Sequence, residues 1–479
     1  MSAQPPVIVW FRRDLRLADN PTLHAATASG APVIPLYVLD GTPGVRAPGA
    51  ASLWWLDKSL AALAAALEAR GSRLMLRRGD AAKTLAQLVE ITGATAVYWN
   101  RLYDGGAVAR DTGLKAELEQ RGVAVSSCNG ALLVEPWALK TKTGGPYKVF
   151  TPFWNALRQV AGDFELNEAP SRLIAPPQWP DSEELDDLAL HPTKPDWSAG
   201  FDIWTPGEAG AYLRLHDFID DDLKSYPRAR DEPASEGSSR LSPHLHWGEI
   251  GPRQIWRAID TASHRDPSLH AAADKFLAEL AWRDFNHNIL FQQPALDTQN
   301  YKPAFDGFPW RTDEAGLEAW KHGQTGYPMV DAGMRQLWAT GFMHNRVRMI
   351  AASFLIKHLL IDWREGERWF WDTLVDADEA NNPANWQWVA GSGADASPFF
   401  RIFRPMGQGD RFDPRGDYVR RWVPELAKLP AEYIHEPWSA PDNVLAEAGV
   451  KLGVTYPRPI VDHRFARERA LAALKMIAS

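Results

Sequence analysis

The chain has 479 residues, 45% hydrophobic and 23% charged, with no apolar stretch of membrane-spanning length. This composition fits a soluble globular protein of two or three domains and leaves no candidate for a membrane-spanning helix. Its net charge of −8 argues against a polyanion held by bulk charge, and its single cysteine, Cys128, excludes intrachain disulfides and cysteine-based zinc sites.

Residues 6–11 (PVIVWF), 33–39 (VIPLYVL), 73–77 (RLMLR), 95–99 (TAVYW) and 123–127 (VAVSS) are short apolar or β-branched runs. Helix-like stretches at 51–69 and 107–121 lie between them. This alternation predicts an α/β N-terminal domain over 1–131, a parallel Rossmann-like sheet with helices on both faces. No G-x-G-x-x-G follows the first strand, so no dinucleotide site is placed there. From 132 to 204 the pattern decays. Pro170, Pro176, Pro177, Pro180, Pro192 and Pro195 and an acidic run at 181–187 predict a long surface linker. Over 205–479 the period is mostly helical, with apolar residues three and four apart at 269–291, 329–360 and 363–374. An all-helical C-terminal domain follows. The N-terminal MSAQPPVIVWF lacks a secretory pattern, and with one cysteine it points to a reducing, cytoplasmic setting. No metal site is expected.

Three polar clusters stand out in the helical part. Around YPRARDEPASEGSSRLS (226–242), Gly237, Ser238 and Ser239 offer donors just before a helical stretch, and Arg228, Arg230 and Arg240 add positive charge. That arrangement can hold phosphate, or be an ordinary serine cap in a solvated loop. Glu279, Trp282 and Arg283 share one helix face, which suits a polar aromatic ligand or a plain ion pair beside a core indole. Asn345, Arg348 and Met349 share another, followed by Asp376, Asp378 and Asn382. Arg348 is expected to pair with one of these aspartates. The stretch 340–388 packs Trp, Arg, Asp and Asn so densely that it reads as the wall of a cofactor cavity, because such groups are costly to bury unpartnered.

The motifs WFRRDLRLADNPTL, EGSSRLSPHLHWGEI, ELAWRDF, FPW, GQTGYPMVDAGMRQLWATGFMHNRVRM, DWREGERWFWDTLVDADEANNPANWQW and FDPRGDYVRRWVPEL resemble those of the DNA photolyase/cryptochrome family. The resemblance runs from about residue 6 to about residue 465. It implies an α/β domain, a linker and a helical domain that binds one FAD. It further implies repair of cyclobutane pyrimidine dimers: photoexcited reduced FAD passes one electron to a dimer flipped out of the duplex, the dimer splits, and the electron returns. By motif match, Tyr226, Ser238, Ser239, Leu241 and Ser242 would hold the phosphates and ribityl chain. Asn345, Arg348, Asp376, Asp378 and Asn382 would line the cofactor, with Asn382 beside flavin N5. Trp282 and Trp388 would stack on the lesion, Glu279 and Asn345 would hydrogen-bond it, and Met349 would pack against it. Arg230, Arg283 and Arg346 would meet phosphates of UV-damaged DNA. Trp386, Trp363 and Trp310 match the family's electron chain to the surface.

Asn382 resembles the repair branch, since plant-type cryptochromes typically carry Asp at the matching place. Asn345 after His344 resembles dimer enzymes; (6-4) photoproduct enzymes carry a second His there. FPW and FDPRGDYVRRWVPEL are closer to plant cryptochromes, as in the class III photolyases, with class I the other candidate subgroup. A blue-light photoreceptor without repair, and (6-4) repair, are the competing functions. Gly106 and Ala107 stand where some relatives hold an antenna folate with Asn and Glu, so that style of site is missing. Trp54 and Trp55 are expected to offer a stacking platform for 5,10-methenyltetrahydrofolate instead. A monomer is expected.

Overall fold

A computed structural model describes residues 4–162 and 164–477. Five strands, β1 (Val7–Phe11), β2 (Val33–Asp40), β3 (Met75–Gly79), β4 (Ala96–Asn100) and β5 (Ala124–Cys128), pair in the order β3-β2-β1-β4-β5, all parallel. Val7 of β1 aligns with Val33 on one side and Ala96 on the other. Covered on both faces by helices, β1 and most of β2 are buried, which is why they read as unbroken apolar runs and not as alternating ones. The strand runs seen in the sequence match within two residues at each end.

The rest is helical, and two departures from expectation matter. Residues 150–160, inside the expected linker, form a helix, Phe150–Val160, with Phe153, Trp154 and Leu157 buried. The expected helix 329–360 is broken: Pro328–Thr340 ends at Gly341 in the left-handed region (φ 66°), and a new helix, Asn345–Ser353, begins after His344. That break turns Asn345 into a helix start and frees its side chain from the preceding helix.

By spatial proximity the chain forms two compact units. One runs from the N-terminal region to Asp196 and includes Trp204–Lys224 and Ser239–Pro294; the other comprises Trp197–Ile203, Ser225–Ser238 and the chain from Ala295 onward. The divisions 1–131, 132–204 and 205–479 mark where the pattern changes along the chain, a different property, and remain a proposal. The second unit's core gathers Trp320, Trp363, Tyr327, Phe354 and Tyr418. Two of its fully buried indoles are partnered: Trp320 Nε1 donates to Ala351 O at 3.0 Å and Trp363 Nε1 to Asn300 Oδ1 at 2.9 Å. Among the described residues, no helix is long and apolar enough to cross a membrane.

Candidate functional site

In the first unit, the helix His270–Gln292 carries Glu279, Trp282 and Arg283 on one face. Glu279 is half-buried and accepts from Lys275 Nζ at 3.0 Å one turn earlier. Trp282 stacks in parallel on Phe150, with centroids 3.9 Å apart and planes 7° from coplanar, and meets Phe285 edge-on. Arg283 turns inward: its Nη1 donates to Ala131 O at 2.6 Å and its side chain is 13% exposed. That bond ties one end of the guanidinium to the backbone of its own unit and holds the side chain in place. Trp54 and Trp55 lie on the helix Ala50–Glu68 of the same unit. Both are buried, at 5% and 0% exposure. Trp55 donates to Glu249 Oε1 at 2.9 Å and packs edge-on against Trp204 and His244.

The serine loop passes from one unit to the other. Tyr226 is buried beneath the Arg230 guanidinium, 5.5 Å from its ring centroid. Gly237 folds against the Tyr226–Ala229 turn so closely that a Cβ there would overlap Ala229, which explains the glycine. Ser238 and Ser239 are half-buried, Leu241 is buried, and exposed Ser242 opens the helix Ser242–Trp247. Arg240 sits at φ 51°, a conformation rare for a bulky residue and usually over-determined by its surroundings. With only six helical residues following, backbone N–H and hydroxyl donors, not a macrodipole, would carry any anion binding here.

The second unit holds a polar wall. Arg348 grips Asp376 through two hydrogen bonds, Nη1 to Oδ1 at 3.1 Å and Nη2 to Oδ2 at 2.9 Å, while its Nε donates to Met343 O at 2.7 Å. Asp376 is nearly sealed, at 3% side-chain exposure, but Arg348 keeps 24%. Asp378 accepts from the Ala380 N–H at 2.8 Å and from the Asn381 backbone and amide, closing the turn into the helix Asn381–Ala390. Asn382 is buried, and its Nδ2 donates to Glu367 Oε1 at 2.8 Å and Glu367 O at 3.0 Å. Both amide hydrogens point that way, so its Oδ1 is the atom left to present to a ligand. Asn345 is exposed, and Met349 and Trp388 are half-buried.

His344 caps the Asn345 helix, its Nδ1 accepting from Arg346 N at 3.2 Å. Burial pulls this imidazole down to about 4, against the partial opposition of Asp231, so it is neutral at physiological pH. Arg346 pairs with Asp231 at 2.7 Å and lies 4.4 Å over the Phe412 ring, which aims it without burying it. Trp386 and Trp363 are buried in the core, and Trp310 packs half-buried at its edge. Trp386 reaches the helix Trp363–Thr373 because position 366 is glycine; a Cβ there would overlap the indole.

Glu367, Asp231, Phe150 and Gly366 are contributors that the sequence reading missed. Glu367 is 15 positions from Asn382 and Phe150 lies 132 before Trp282, so no local spacing links them. Phe150 alone left a signal, the 150, 153, 154, 157 helical spacing of apolar residues. As a donor set, the wall fits a flat heteroaromatic group: a fixed guanidinium, a carboxylate-capped turn and an amide oxygen in one unit, with partly open edges.

A family model described as DNA photolyase matches residues 7–174, and one described as the FAD binding domain of DNA photolyase matches residues 276–476. The chain is 56% identical to the deoxyribodipyrimidine photo-lyase of Agrobacterium fabrum, over 98% of this chain and 97% of that one. It is 39% identical to cryptochrome-2 of Arabidopsis thaliana, over 99% of this chain and 79% of the relative. The crystal structure of a bacterial class III photolyase from Agrobacterium tumefaciens superposes with a TM-score of 0.96 at 55% identity, covering 100% of this chain and 98% of that one.

Proposed function

The chain belongs to the DNA photolyase/cryptochrome family, and from that premise we infer a light-dependent lyase of the class III kind that splits cyclobutane pyrimidine dimers in damaged DNA. When bound in reduced form, FAD would supply the photoexcited electron, and the protein would supply cavity, orientation and electrostatics. The observation that carries repair over signalling is Asn382. A carboxylate there would set negative charge against an anionic flavin; the neutral amide, held by Glu367, sets none and keeps an acceptor oxygen forward.

The remaining roles follow from chemistry and position. Tyr226, Ser238, Ser239, Leu241 and Ser242 would hold the cofactor's phosphates and ribityl chain, and Arg348, Asp376 and Asp378 its polar ring edge. Exposed Asn345 and half-buried Glu279 would hydrogen-bond the extruded pyrimidines. Trp282 and Trp388 would supply stacking surface and Met349 apolar contact. Arg230, Arg283 and Arg346 would meet lesion-flanking phosphates, a salt-dependent contribution that the overall −8 charge does not forbid. Trp310 reaches solvent at the edge of the core that buries Trp363 and Trp386, which suits a route for electrons from the surface. An antenna folate beside Trp54 and Trp55 stays part of the reading, as do a cytoplasmic setting and a monomeric state. Glu279→Ala and Trp282→Ala are expected to keep their flavin, read by visible absorbance, and to lose most repair of irradiated oligothymidine. Retained repair in both variants would contradict the site.

A further inference from the structure

We infer that Phe150 is a substrate-positioning residue: its ring fixes the plane of Trp282 and leaves one indole face for the extruded dimer. This inference rests on the proposed dimer repair and deepens it. An indole has two faces, and in this structure one is covered. The Phe150 and Trp282 rings lie 3.9 Å apart and 7° from parallel, a full overlap that admits nothing between them. Phe285, buried at 1%, meets both rings edge-on, at 5.5 Å and 86° to Trp282 and 5.9 Å and 80° to Phe150. Phe153 abuts Phe285 in turn, at 5.4 Å. The trio is therefore anchored from below through Phe285, while Trp282 and Phe150 themselves stay half-buried.

Simple core packing would not produce that division. Buried aromatic contacts favour edge-on or offset geometries with all rings enclosed, as Phe285 has here. Phe150 instead stands at the partly open end of the trio, as the first residue of its helix, where the extended backbone of Val149 aims it across Trp282. A ring set so holds the indole in one orientation before substrate arrives, and removes the ordering cost from binding. It also dictates handedness: only the face of Trp282 turned away from Phe150 is available, so the dimer must enter from that side.

The test uses flavin-loaded full-length protein with matched oligothymidines, one carrying a dimer and one undamaged, and measures dark affinity for each. Phe150→Ala is expected to weaken dimer binding by about tenfold, the scale of one side chain left to be ordered on binding, with unchanged affinity for undamaged DNA and unchanged flavin absorbance. Phe150→Tyr, which keeps the ring and folds with the least disturbance, is expected to bind dimers as the unsubstituted protein does. The double variant Phe150→Ala, Trp282→Ala is expected to be no weaker than Trp282→Ala alone, because the brace acts only through the indole. Unchanged or tighter dimer binding by Phe150→Ala would overturn the inference, tighter binding meaning that the ring occupies the dimer's own place. So would equal losses on both DNAs. Unsubstituted protein that fails to tell the dimer from undamaged DNA would overturn the repair reading as well, whereas discrimination that survives Phe150→Ala overturns this inference alone.

Discussion

Two clusters in this molecule use the same residue types and end differently. At the carboxyl ends of β1, β2 and β4, Arg12, Arg110, Asp40 and Asp111 close around Trp10. Arg110 pairs with Asp40 and Asp111, Arg12 pairs with Asp111, and the two guanidiniums lie 4.7 and 4.5 Å from the Trp10 ring centroid. No member exceeds 14% side-chain exposure. In the second unit, Arg348, Asp376, Asp378, Asn382 and Glu367 are paired as thoroughly, yet Arg348 stays partly open, its helix neighbour Asn345 is exposed and Met349 is only half-buried. Buried charge alone does not mark a functional site. A polar cluster with all its partners inside is architecture; one with its partners behind and an open edge in front is placed to receive a ligand.

The comparison breaks most visibly in the closed cluster. Asp111→Ala leaves two buried guanidiniums short of a carboxylate and is expected to cost about 3–5 kcal/mol in urea unfolding, with flavin content per folded molecule unchanged. The open cluster has its own weak point in acid. The folded-state pKa of His344 lies at about 4, below its ordinary 6.5, so the folded protein holds fewer protons than the unfolded chain between those values. Its contribution is complete above about pH 6.5 and is lost as pH falls towards about 4, in all about 3 kcal/mol. His344→Asn keeps a capping oxygen without the titration, so its urea midpoint is expected to fall less than that of the unsubstituted protein between about pH 7 and about pH 4.5. Next comes Gly366→Ala, which crowds Trp386 and is expected to cost about 1–3 kcal/mol while slowing photoreduction of oxidised flavin. Asp376→Asn sharpens the contrast with Asp111: it is expected to weaken flavin retention about tenfold, near 1.4 kcal/mol, in a dialysis assay, and to disturb folding less than Asp111→Ala does. A larger folding loss with flavin intact would erase the distinction. The smallest effect belongs to Arg346→Ala, expected to reduce the slope of log affinity for DNA against log salt by about one.

How much of this was legible in the sequence depended on distance along the chain. The strands were legible because parallel strands covered on both faces are continuous apolar runs, a strictly local property. Helix faces were legible for the same reason: Glu279, Trp282 and Arg283, or Asn345, Arg348 and Met349, are neighbours by spacing alone. The break at Gly341 was signalled by its glycine and by His344 but hidden by apolar periodicity on both sides. The Phe150–Val160 helix was masked by the prolines and glycines around it. The partners of Trp55 were not legible either: Trp204, His244 and Glu249 lie about 150 to 195 positions away along the chain. What the sequence withheld were long-range choices: Glu367 for Asn382, Asp231 for Arg346, Phe150 for Trp282. Tertiary packing makes those choices, and no periodicity records them.

The central claim is that the open polar wall holds a flavin whose photoexcited electron reaches a pyrimidine dimer. The direct measurement follows loss of dimers from irradiated oligothymidine mixed with the purified protein, its flavin fully reduced, under blue light and in darkness. The account predicts restoration of intact thymines in the light only. Flavin that is bound and reduced, with dimers untouched after illumination, would contradict it.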